Sequence, residues 1–376
     1  MAEHDVERML ERWSGAGVID AGTASRIRAF ERSNAGSHRL RWPIWLALGF
    51  GATALAAGVL LLVSAHWDDI SPASRFTLVL SLVALFHVTA AFVAERFPAM
   101  ATALHGVGTM ALGAGIYLAG QIFNLEEHWP SALMVWALGA ATAWDILRSW
   151  PQMLLTALLA PAWLFGEWIV ATERLSAPSI IRIAASGPAL LALAYFTAFD
   201  EGRVDRKALN RLGGVSLPFA LAGLALAGSD PWLVDRGATL PAPLSIVGWA
   251  VAIGLPLVVA LVLRGREAWP VGVAALWVIA LFGVRSVLGE TLMYVWWAIG
   301  ATAMAAWGVK EARSERINMG AAMFGATVLA FYFSQVMDKL GRSASLIGLG
   351  LVFLAGGWLI ERVRRQLVLQ AQGGAA

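Results

Sequence analysis

The 376-residue chain is 59% hydrophobic and 14% charged, whereas about 25% charged residues is usual for a soluble domain, so a globular enzyme of this size would lack polar surface. Its formal net charge is +3 and its apolar residues come in blocks of about twenty, which excludes disorder, collagen and coiled coil. The 18 Trp and 38 Gly fit a bilayer protein, where Trp marks the interfaces and Gly lets helices approach closely. No cysteine is present, so disulfides, Cys-type zinc sites and thiol nucleophiles are ruled out.

Residues 1–40 are polar enough for water. Glu3, Asp5, Glu7, Arg8, Glu11 and Arg12 leave no apolar h-region, so no cleavable signal peptide is expected. Val6, Met9, Leu10 and Trp13 recur at helical spacing, and Gly15 and Gly17 break the run. Asp20 or Thr23 can cap a second helix carrying Ala24, Ile27 and Phe30. Asn34–Ser37 reads as a flexible linker. A small helical hairpin with one apolar stripe is therefore predicted, too short to hold a core alone. Such a stripe either lies on the membrane or body of the protein, or serves as a docking or self-association module through residues 1–36.

Twelve apolar segments follow, near 43–65, 75–94, 100–123, 131–147, 152–170, 179–199, 210–227, 244–263, 269–285, 290–309, 317–335 and 343–361. Each approaches the roughly 20 residues a helix needs to cross the hydrocarbon, and none alternates as a barrel strand would. The segments near 179 and 269 fit least well: the first contains Arg182 and Pro188, and the second is short. The predicted fold is an all-α, polytopic membrane bundle of about 12 spans, with a flexible tail at 366–376. An even count puts both termini on one side. With the N-terminus inside, only Arg75, Arg174, Arg182, Arg236, Arg285, Lys339 and Arg342 of the 28 Lys and Arg fall outside. That is the positive-inside pattern, and it explains the basic pI better than nucleic-acid binding does. Trp42 and Trp45 inside, and Trp67, Trp129 and Trp232 outside, agree as interface anchors.

Three stretches carry a resemblance: Ser64-Ala-His-Trp-Asp-Asp-Ile70, Gly113-Ala-Gly-Ile-Tyr-Leu-Ala-Gly-Gln-Ile-Phe-Asn-Leu125 and His128-Trp-Pro130. They resemble a bacterial family of predicted membrane proteins known as domain of unknown function 2157. Trp13–Ile19 is similar to the short hairpin that precedes its first span, and Trp358–Arg365 to its basic tail. The likeness covers residues 1–170 well and the rest loosely. His66 stands where the family pattern has Asn. The resemblance implies a bacterial inner-membrane location and supplies no activity.

Polar groups at membrane depth are the default functional residues, because burying them is costly unless they are paired or wet. Here they gather toward the outer ends of the spans. His66, Asp68 and Asp69 end the first span, Arg75 begins the second, and Gln121, Asn124, Glu126, Glu127 and His128 end the third. Glu167 ends the fifth and Arg182 begins the sixth. If the third helix continues to Pro130, then Gln121, Asn124 and His128 share one face. The candidate ligand-binding set is His66, Asp69, Arg75, Gln121, Asn124, Glu127, His128, Glu167 and Arg182, with Arg182 pairing Glu167 or an anion. The plainer reading is that these residues meet water and headgroups. His66, Asp69 and His128 have metal-donor chemistry but lack an H-x-x-x-H pair, so no metal is expected.

Ala111, Gly115 and Ala119 form a stripe of small residues that lets another helix approach. His87 and His105 lie inside spans and can relay protons, or simply bond to a neighbouring backbone or hydroxyl. Glu95 and Asp145 are read as partners of Arg96 and Arg148. The endings Gln121–Asn124 and Gln335–Asp338, each followed by Ser-Ala, hint at a parallel repeat. No Walker A, H-E-x-x-H or G-x-S-x-G motif occurs, and no cofactor is expected.

Three functions fit: binding or transport of a small solute or lipid through an outward pocket, an assembly subunit that docks through the hairpin, or an intramembrane enzyme acting on lipid. Membrane lipids are the expected partners, with a protein partner on residues 1–36 and no nucleic acid.

Overall fold

Proline starts most of the helices. It occupies the first or second position of α2 (Pro72–Val93), α3 (Pro98–Ile122), α4 (Pro130–Leu147), α5 (Trp150–Thr172), α6 (Pro178–Phe196), α8 (Ala242–Arg264) and α9 (Trp269–Leu288). At N1 the missing N–H would have had no helical partner, and the fixed φ already suits the helix. The remaining helices are α1 (Ala21–Arg39), α7 (Val204–Gly228), α10 (Glu290–Lys310) and α11 (Ser314–Phe331). A π turn, Tyr332–Val336, follows α11, and a 3-10 turn, Gly265–Ala268, links α8 to α9. The structure, a computed structural model, describes residues 9–10, 12–39, 71–122, 128–198, 203–228, 238–288 and 290–336, with single positions 348, 350, 354, 356, 358 and 362.

The described residues are helical with no strand. Ten of the twelve predicted segments coincide with helices. The first, 43–65, and nearly all of the last, 343–361, lie outside the described residues. Nine described stretches are long and apolar enough to cross a membrane. One of them, Ala242–Gly283, spans 42 residues and holds both α8 and most of α9.

The chain divides into two units, Met1–Leu78 and Val79–Ala376. In the first, residues 12–15 are helical and Gly17 takes a positive φ of 67°. Asp20 caps α1, accepting from the Thr23 backbone N–H at 2.8 Å. That bond, with the Thr23 side chain, holds the Asp20 carboxyl below its ordinary range. Leu10 and Ala24 are buried, whereas Phe30 at the end of the predicted stripe is 64% exposed. One expectation is corrected: Asn34–Ser37 is not a linker but part of α1. A single Gly and weak helix formers cost too little to end a helix that has already nucleated.

In the second unit, consecutive helices run antiparallel. Gly115 meets Val79 of α2, as the small-residue stripe predicts, and Gly113 meets Trp136 of α4. Ala137 and Ala140 of α4 pack with Leu159 of α5, and the Trp168 indole donates to the Ile180 carbonyl of α6 at 3.1 Å. Leu193 packs with Leu217 of α7. Trp277 and Trp296 stack, each donating to the other's carbonyl at 3.1 Å across α9 and α10.

Helix α6 is the core element: 56% of its span is buried, against at most 33% for any other described span. It is wrapped by α7, α8 and α9, with Leu190, Leu224, Val278 and Leu281 in one cluster. This explains why it matched the span pattern poorly. A helix surrounded by protein needs small and polar contact groups, such as Ser186 and Gly187, rather than a lipid-facing surface.

The antiparallel order sorts the charges. One end of this unit carries Arg96, Arg148, Arg203, Arg206, Lys207, Arg211, Arg264, Arg266, Lys310, Arg313 and Arg316. The opposite end carries Arg174, Arg182 and Arg285 among the described residues.

Candidate functional site

The opposite end holds a polar pair that the sequence placed far apart. Helix α5 follows Ser149 in extended conformation, with Pro151 in its first turn. Within it, Trp163 and Glu167 are four residues apart and share a face. The Trp163 indole therefore donates to Glu167 Oε1 at 2.8 Å. Gly166 leaves room for the Trp129 indole and Pro130, which lie against its backbone. This contact seats the start of α4 on α5, so His128 Nε2 lies 2.5 Å from Glu167 Oε2. Both carboxylate oxygens are thus engaged, in a site still 36% exposed at Glu167 and 44% at His128.

Glu167 also lines a cavity of about 250 Å³ between α5, α6 and α8, with Trp168, Ile183, Gly187 and Val247. Apart from Glu167 and the Trp168 indole N–H its lining is apolar. Each of the three helices contributes an internal proline to the wall: Pro161, Pro188 and Pro256. Such a proline cannot donate to the carbonyl four residues earlier. For Pro161 that carbonyl is Ala157 O, and the Tyr195 hydroxyl donates to it at 3.0 Å. The wall of the cavity is thereby held to the core helix.

The other predicted site residues fare differently. His66, Asp68, Asp69, Asn124, Glu126 and Glu127 lie outside the described residues, as do Asp338 and Ser343–Ala344 of the suggested repeat. Gln121 is in the last turn of α3. Arg75 is in the first turn of α2, in the first unit. His128 is not helical, so it does not extend the α3 face that carries Gln121. Arg182 does not pair with Glu167. Its guanidinium lies 5.4 Å over the Phe282 ring of α9, and its Nε is buried without a hydrogen-bond partner among the described residues. His128 has taken the carboxylate instead, because Trp129 anchors that loop on Gly166. Among the described residues no group of three His, Asp or Glu can hold a metal.

Asp145 and Arg148 pair at 2.5 Å as expected, both largely exposed. Arg96 instead covers the Phe97 ring at 5.7 Å.

Two further polar clusters join residues that the sequence did not pair. His87 and His105 face each other, Nδ1 to Nδ1 at 3.5 Å. Gln152, fully buried, donates to the His105 carbonyl at 2.9 Å. The available signal was spacing: both histidines lie nine residues from Arg96, so an antiparallel hairpin brings them level.

The second cluster is ionic and lies at the basic end. Glu311 accepts from Arg264 at 2.8 Å, from the Trp307 indole at 2.6 Å and from Arg316. Both guanidinium groups lie over the Trp307 ring, at 5.4 and 4.3 Å. Burial opposes the Glu311 charge, yet the hydrogen bonds from Arg264, Trp307 and Arg316 outweigh it and hold the carboxyl at about 2. Only the Trp307–Glu311 spacing was visible in sequence; Arg264 comes from a helix 47 residues away.

Residues 11–153 match the model of a family described as "Predicted membrane protein (DUF2157)", in agreement with the motifs of the N-terminal half. No curated protein and no solved structure matches the chain. The chain is a helical membrane protein, and the matched region ends at the start of α5.

Proposed function

We propose that this protein binds an amphipathic small molecule or lipid at the end opposite its basic face, with the apolar part in the 250 Å³ cavity and a donor-bearing or cationic head at Glu167. The observation that carries this reading is the convergence of Glu167, His128 and Trp163 at the rim of an otherwise apolar cavity. Ligand sites combine an apolar lining with a few placed polar groups in this way. An incoming ammonium or hydroxyl can replace His128 as the carboxylate's donor.

The test is binding of dodecylamine to the purified protein by native mass spectrometry. Glu167→Gln removes a charge-assisted bond, so affinity is expected to fall about tenfold or more. Val247→Trp, at a position 58% exposed on the cavity wall, is expected to abolish binding by filling the space. Wild-type affinity in both variants rejects the site.

The same reading places the basic end in the cytoplasm of a bacterial inner membrane, with both termini inside. Among the described residues from Val79 to Phe331, the eleven-to-three distribution of basic residues over the two ends supports it. Because the chain has no cysteine, single substitutions report cleanly. An impermeant maleimide added to intact cells is expected to label Arg174→Cys, and to label Arg148→Cys only after lysis. The reverse pattern inverts the orientation.

A further inference from the structure

A larger cavity, about 720 Å³, lies on the other half of the second unit, among α6, α7, α9 and α10. It starts at the basic end, where Trp269, Trp307 and Lys310 line it, and reaches Ala280 and Leu224 deep in the bundle. Along α9 the lining runs from Trp269 to Ala280, about 16 Å of helix. That is roughly half of a ~30 Å hydrocarbon core, the depth of one leaflet. Leu276 and Ile299 on its wall are 68% and 49% exposed, so the slot opens sideways toward lipid rather than toward water.

Its polarity is one-sided. Lys310 is the sole charged group in the described lining. Its ammonium rests 5.1 Å over the Trp269 ring, with no carboxylate bound to it among the described residues. Behind the mouth, Trp307 carries Arg264, whose side chain is 8% exposed and whose Nη1 is buried without a hydrogen-bond partner among the described residues. Glu311 and the more distant Glu267 offset the two guanidinium groups on that ring, so the net positive charge of the mouth rests on Lys310. Two indoles and a lysine at an interface, above an apolar slot one leaflet deep, fit a molecule with an anionic head and a long chain.

We infer that this slot is a binding site for one anionic glycerophospholipid, with an acyl chain between α7 and α9–α10 and its phosphate at Lys310. The site is separate from the Glu167 cavity, and the two heads they select have opposite charge.

The test is native mass spectrometry of the full chain with equimolar dioleoyl phosphatidylglycerol and dioleoyl phosphatidylcholine. The wild type is expected to retain one phosphatidylglycerol with at least about tenfold preference. Lys310→Gln is expected to bring that preference close to unity. Ala303→Phe fills the slot from an exposed wall position and is expected to remove the bound lipid without lowering Tm. Glu167→Gln is expected to leave the preference unchanged, which separates this site from the one proposed above. Equal binding of the two lipids by the wild type overturns the inference. So does an undiminished preference in Lys310→Gln, or retention of the lipid in Ala303→Phe. A slot filled by a fatty acid or by a second copy of the chain appears as the first of these results.

Discussion

Glu311→Gln is expected to destabilise the protein by about 3–5 kcal/mol, the cost of breaking a buried ion pair by removing one partner. Arg264 and Arg316 have side chains only 8% and 4% exposed. With a neutral amide between them they become two buried like charges stacked on the same indole. Glu267 cannot take over, since it is 80% exposed and lies 3.4 Å from Arg264. Glu267→Gln is therefore expected to stay within about 0.5 kcal/mol of wild type. Thermal unfolding in detergent distinguishes the two. The acid dependence has a defined sign. Glu311 titrates at about 2 instead of the ordinary 4.5, so its contribution is fully present above about 4.5 and is lost as pH falls through 2. In Glu311→Gln this acid step is expected to disappear. Similar Tm values for wild type and Glu311→Gln at pH 7 would show that the network contributes nothing to stability.

Gly213→Ala is expected to separate α6 from α7. A Cβ at this position would lie 2.1 Å from the Phe196 backbone N, 2.6 Å from its Cα and 2.7 Å from the Ala192 carbonyl oxygen. All three are backbone atoms, so no rotamer change relieves the contact and one helix must shift. One turn earlier, the Asn210 side chain donates to the Phe196 carbonyl, and the shift breaks that buried bond as well. Overpacking costs about 1–3 kcal/mol and an unsatisfied buried amide about 1–3 more. Gly223→Ala is the control, because nothing among the described residues lies within 4 Å of its would-be Cβ. It is expected to be neutral or to stabilise by up to about 1 kcal/mol through helix propensity. A Gly213→Ala protein that melts with wild type would mean that the two helices can part freely at this crossing.

The site was only partly legible in advance. Glu167 and His128 were both recognisable as polar residues at span ends, since lipid makes such groups expensive wherever they occur. Their pairing was not, because it depends on Trp129 lying against Gly166, a contact between residues 37 apart. The expected partner, Arg182, belongs to α6, and its guanidinium is held over Phe282 of α9 instead. The Tyr195 bond to Ala157, which satisfies the carbonyl that Pro161 leaves free, has no local signature at all. Nor does Arg264 meeting Glu311, since neither residue announces a partner 47 positions away.

What the sequence by itself determined is the solvent and the order of the helices. Twenty-residue apolar runs must satisfy their backbone internally, and only a helix does this within one segment. Prolines and charges then mark where each helix starts and which end of the bundle is basic. What only the tertiary structure decided is which helix is enclosed, which polar groups meet and where cavities remain. Hydropathy cannot rank helices for enclosure, because lipid and protein interior are equally apolar, so neighbours are chosen by close packing at residues such as Gly213 and Gly115. That is why α6, one of the two segments that fitted the span pattern least well, is the most enclosed of the described helices.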